Sequence, residues 1–162
     1  MLKNLLFSSL LLILFLGVNS CKSAQQEQGK KDISISKEVT KSVGFTKLLS
    51  GNHANENNAN QILVKDKETL ADIYNQINST QFPGEKIPEI NFEKEIVLVL
   101  YMGEKPTGGH RVFIDHILAG RTELIVFYKE TAPTGMATSV LTQPFYIASI
   151  TKTDLPIRYQ KL

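Results

Sequence analysis

Apolar positions in this chain fall into short runs separated by clusters of Gly, Pro and Asn, the punctuation of a β-rich fold. Val43-Gly44-Phe45-Thr46-Lys47-Leu48-Leu49-Ser50 predicts a first strand and Gln61-Ile62-Leu63-Val64 a short second one, with an exposed Asn-rich loop from Gly51 to Asn60 between them. Leu70, Ile73, Tyr74 and Ile77 then recur at i, i+3, i+4 and i+7. That period makes one apolar stripe and predicts an amphipathic helix from Lys67 to about Asn78, with Asp66 as its N-cap. Pro83, Gly84 and Pro88 turn the next segment into a loop.

Ile96-Val97-Leu98-Val99-Leu100-Tyr101-Met102 is apolar at successive positions, as a strand covered on both faces must be. Val112 to Ile117 is expected to follow as its neighbour, then Glu123 to Lys129, with Phe145 to Ile150 closing the sheet. Strand, helix and then a meander of strands on short turns predict an α+β fold, mainly antiparallel β-sheet with one helix near the start of the domain.

The N-terminal pattern is different. Leu5 to Val18 is almost wholly apolar behind Lys3, too short for a comfortable span of ~20 residues but suited to a signal-peptide core. The only cysteine, Cys21, stands at the end of that run, after Val18-Asn19-Ser20, and this resembles a bacterial lipobox. The expected organisation is a lipoprotein-type signal peptide over 1–20, a flexible tether over 21–42 and a domain over 43–162. Cys21 would carry the lipid, since two or more acyl chains suffice for stable anchoring. The polar, low-complexity stretch from Lys22 to Lys31 would lift the domain off the membrane, facing periplasm or exterior within the cell envelope.

Charge adds little. Eighteen basic residues against 16 acidic ones leave a net +2, too balanced to indicate nucleic acid as a partner. Catalytic chemistry is equally sparse. His110 and His116 are six residues apart, which places both on one face of an extended strand, ~20 Å from one another and too far for one metal ion. His53 has no ligand-type residues beside it. Ser139 and Ser149 lie in no Gly-x-Ser-x-Gly elbow, and Glu93 with Glu95 reads as solvated charge. Gly108-Gly109 lacks the Lys-Ser/Thr and following helix of a phosphate loop. The expectation is a protein that is not an enzyme and uses no metal or cofactor.

Two shaped loops remain. Pro106-Thr107-Gly108-Gly109-His110 is one and Pro133-Thr134-Gly135-Met136 the other. Both combine Pro-Thr-Gly with bare backbone, and Met136 adds a side chain that adapts to irregular surfaces, so both are candidate partner-binding loops.

Ile87-Pro88-Glu89-Ile90-Asn91-Phe92, the apolar strand, Gly103 to His110 and Gln143-Pro144-Phe145 together resemble the PrcB C-terminal domain family, over roughly Ile62 to Lys152. That resemblance implies a lipoprotein or secreted protein acting as a non-catalytic accessory to a secreted or envelope protease. His110 stands where the family more often has an aromatic such as Tyr. Pro106 to His110 also has a partial similarity to the Pro-Thr-Thr-Gly-Tyr loop of chagasin-like cysteine-protease inhibitors. This implies an alternative, an inhibitor using Thr107 to His110 as a wedge, although the predicted helix argues against a simple β-sandwich. A small-ligand-binding envelope lipoprotein is a further alternative.

Overall fold

The computed structural model describes residues 40–162; the expected signal peptide, Cys21 and the tether up to residue 39 lie outside the described residues. The strands in chain order are β1 (Lys41–Ser42), β2 (Phe45–Gly51), β3 (Ala59–Val64), β4 (Glu95–Met102), β5 (Arg111–Ala119), β6 (Leu124–Thr131), β7 (Phe145–Thr151) and β8 (Ile157–Lys161), with helix α1 (Lys67–Asn78) between β3 and β4.

Strand β4 shows why the molecule is layered. Every residue from Ile96 to Met102 is buried, and because side chains alternate across a strand they divide into two sets. Ile96, Leu98, Leu100 and Met102 join Val112, Ile114 and Ile117 of β5, Leu124, Val126 and Tyr128 of β6, and Tyr146, Ala148 and Ile150 of β7. Val97, Val99 and Tyr101 join Leu70, Ile73, Tyr74 and Ile77 of α1. One set fills the space between two sheets, the other the space beneath the helix. Burying one such aliphatic side chain stabilises the fold by about 1.5–3 kcal/mol, so β4 contributes to both cores at once.

The two sheets are β2-β7-β4-β3 and β1-β5-β6-β8. All pairings are antiparallel except β6 with β8. The content is therefore antiparallel-rich sheet with one helix among the described residues, in the expected class. The arrangement differs from a single meander in three ways. Strand β5 is not the neighbour of β4: β3 and β7 already occupy both edges of β4, so the chain after Met102 crosses to the other sheet. Strand β7 does not close the sheet but inserts between β2 and β4. Finally, β1 and β8 are additional strands. Strand β1 falls in the last two residues expected of the tether and pairs with Leu118 and Ala119.

Helix α1 begins where Asp66 caps it. Asp66 Oδ1 accepts from the Thr69 N–H at 2.8 Å and Oδ2 from the Thr69 hydroxyl at 2.9 Å, and these bonds hold its carboxyl below the usual range. The helix lies on the sheet of β4 rather than between strands, so it is compatible with a two-sheet sandwich. The objection it raised to sandwich folds falls away.

Candidate functional site

Antiparallel pairing dictates where the loops go. Gly51 pairs with Phe145, Tyr101 with Phe145 and Arg111 with Thr131, so β2, β4 and β6 end where β3, β5 and β7 begin. The β2–β3, β4–β5 and β6–β7 loops (52–58, 103–110 and 132–144) therefore meet at one end of the sandwich.

They are bonded to each other, not merely adjacent. Lys105 and Thr142 exchange backbone hydrogen bonds of 2.7 and 2.9 Å, and the Gly108 N–H donates to Thr138 O at 3.0 Å. The Thr142 hydroxyl, on a residue only 4% exposed, donates to Thr107 O at 2.9 Å. Gly109, at φ +86°, lies against the Pro133 ring: a Cβ there would come within 3.0 Å of Pro133 Cβ. The structure thus brings the two Pro-Thr-Gly loops together. Pro106 and Gly109 are exposed, while Thr107, Gly108, His110 and Pro133 are half-buried. Thr134, Gly135 and Met136 project into solvent, Met136 completely (106% exposed). Val140 and Leu141, further along the same loop, are exposed as well.

Thr107 Oγ1 and His110 Nε2 share a hydrogen bond of 3.1 Å. The other ring nitrogen, Nδ1, is buried with no partner among the described residues.

The hub of the assembly is Gln143, noted in the sequence only as part of Gln143-Pro144-Phe145. Its N–H donates to Asn52 O at 2.6 Å, and its carbonyl accepts from the Ala54 N–H at 3.1 Å. Its side-chain oxygen accepts from the Asn55 N–H at 3.1 Å, and its amide nitrogen donates to Asn57 Oδ1 at 2.6 Å. Gly103, at φ +73°, packs on the Asn57–Ala59 backbone, and the Glu104 N–H donates to Asn57 O at 3.0 Å. The Asn-rich loop, without an assigned role in the sequence, is tied to both other loops. No periodicity marks Gln143; its only local signal is the following proline.

The remaining candidates are scattered. Glu95 opens β4 at the opposite end from the loops, and Ser149 is buried within β7. The expectation that His110 and His116 share a strand face is incorrect. His110 precedes β5, and a bulge at Asp115 shifts the register so that Ile114 and Ile117, three residues apart, both enter the core. His116 instead stacks on Phe127, with centroids 4.4 Å apart, and bonds Asp115 at 2.7 Å. Asp115 also meets Lys129 at 2.6 Å, and these partners, Lys129 first, hold its carboxyl below its ordinary value. Among the described residues no three His, Cys, Asp or Glu side chains are placed to hold a metal ion.

No curated protein and no solved structure matches the chain. A family model does: residues 96–151 match the family described as PrcB C-terminal. The matched stretch is narrower than the resemblance read from the sequence, leaving out Ile87 to Phe92, yet it runs from β4 to β7 and takes in both Pro-Thr-Gly loops. Over that stretch, built of β4, β5, β6 and β7 and the loops between them, the chain is similar to the PrcB C-terminal family.

Proposed function

We propose that this protein is a lipid-anchored, non-catalytic interaction module of the cell envelope, serving as an accessory subunit to a secreted or surface protease. The observation that carries this reading is the loop end of the sandwich. Three interbonded loops present Met136, Val140 and Leu141 to solvent on a backbone held by Thr142 and Gln143. A pre-ordered loop surface loses little entropy on binding, and exposed apolar side chains at its tip supply the contact area. The PrcB C-terminal match over two of these loops, 103–110 and 132–144, supports a protease complex as the setting. Cys21, by its place after the apolar run, is the residue that would hold the lipid.

Met136→Asp tests the reading, because that side chain is fully exposed and the substitution leaves the fold alone. The membrane-anchored protein, purified from its own cells, should bring down a secreted or envelope protease, and the Met136→Asp form should not. Equal recovery with both forms would remove the loop end as the site. A second reading, a wedge-type inhibitor, is favoured by the bonds that stiffen Thr107 and Gly108; a papain-like protease unaffected by excess of the chain would exclude it.

A further inference from the structure

A second feature lies beside those loops and reaches one of them only at Asn52. Strand β2 ends one sheet, and among the described residues its outer side has no strand. Strand β5 is paired on its β1 side only from Ile117 to Ala119, where Val43, Ser42 and Lys41 meet it. The chain then leaves β5 to become β2 of the other sheet, so among the described residues the edge of β5 from Arg111 to Ile114, ahead of the bulge at Asp115, is left open. Between the two open edges lies a cleft of about 400 Å³, lined by Lys47, Ser50 and Asn52 on one side, Arg111 and Phe113 on the other, and Tyr146 of β7.

We infer that this cleft binds an extended, acidic segment of a partner protein, which adds to the free edge of β5 as a further antiparallel or parallel strand with its carboxylates on Lys47 and Arg111. An open strand edge presents N–H and C=O groups in a row at ladder spacing, and only another extended backbone satisfies them in series. From Lys47 to Asn52 the cleft wall runs roughly 15 Å at strand rise, enough for about four or five extended residues. Neither Lys47 nor Arg111 has a carboxylate partner among the described residues, so both cations are available to an incoming acid. The same cations, with the bulge of β2 between Lys47 and Leu49, oppose pairing with a second identical edge, which would set like charges against each other. An acidic strand meets no such repulsion from Lys47 and Arg111, and the carboxylate of Asp115 at the end of the edge is already paired with Lys129 and His116. The inference goes beyond the proposed accessory role and shares no lining residue with the segments 106–110 and 133–136.

The test uses the full chain in detergent micelles and a labelled, doubly capped Val-Glu-Val-Glu-Val peptide followed by fluorescence anisotropy. The acidic peptide should bind, and Lys47→Glu with Arg111→Glu should weaken it by about tenfold or more. Its Lys-for-Glu counterpart and its backbone N-methylated form should bind at least that much more weakly, and Met136→Asp should leave the affinity unchanged. The N-methylated comparison uses the unaltered protein and decides the matter even where a charge-reversed variant folds poorly. Equal binding of the N-methylated or cationic peptide, or no binding of the acidic one, overturns the inference. So does a concentration-dependent dimer that disappears on Arg111→Glu, which would give the edge to a second copy of the chain.

Discussion

At the scale of single residues the paired glycines of the β4–β5 loop are not equivalent. Gly109 sits at φ +86° against Pro133, whereas a Cβ on Gly108 would meet only Val140 Cγ1 at 3.7 Å and Thr138 at 3.9 Å, ordinary contacts. A left-handed conformation costs a side-chain-bearing residue about 1–2 kcal/mol. Gly109→Ala should therefore destabilise the protein by at least that much, and Gly108→Ala by less than about 0.5 kcal/mol. Urea unfolding of the two variants measures the difference; equal losses would mean that the loop does not hold Gly109 in this conformation. Substituting both glycines together would confound binding with folding, so Met136 is the better probe of the surface.

At the scale of elements, the three loops behave as one unit through Gln143. Its side chain bonds Asn55 and Asn57 across the sequence, while its backbone already bonds Asn52 and Ala54. Gln143→Ala removes only the side-chain bonds, each worth about 0.5–1.5 kcal/mol net. Amide exchange at Asn55 should accelerate while the amides of β4 stay protected, because β4 is held by β3 and β7 on both edges. Protection of Asn55 unchanged in Gln143→Ala would show the loops to be ordered independently. The open edge of β5 is the reverse case, an element whose pairing is incomplete and whose charged neighbours decide what can complete it.

At the scale of the whole molecule, both cores enclose tyrosines. Burial pushes the phenols of Tyr74, Tyr101 and Tyr159 up to about 12, with Glu85 and Glu56 adding to the first two. The Tyr159 hydroxyl is buried without a partner among the described residues. Each group ionises more readily in the unfolded chain, at about pH 10. Their stabilising effect is therefore complete below that pH and is lost as the pH rises from 10 towards 12. The urea midpoint should hold steady up to about pH 9 and fall steeply above 10, with a smaller fall in Tyr159→Phe. A midpoint flat through pH 11.5 would contradict the burial of these rings.

What was legible along the chain was whatever depends on near neighbours. The period of Leu70, Ile73, Tyr74 and Ile77 and the capping carboxyl of Asp66 located α1, and the unbroken apolar run of β4 announced cover on both faces. Pro and Gly marked the two loops that the structure joins, since turn chemistry is also local. Strand partnership was not legible, because any apolar strand can pair with any other and the choice depends on which edges remain free after the rest has folded. Hence the sequence pattern sets β5 beside β4, the five half-polar residues of β8 carry no strand signal, and the bulge at Asp115 reverses a parity that spacing alone would keep. By itself the sequence determined the elements, the two-sided burial of β4 and the loop chemistry. Only the tertiary structure decided that there are two sheets, that Gln143 unites three loops at one end, and that β5 keeps an open edge, because each of these rests on contacts between residues far apart in the chain.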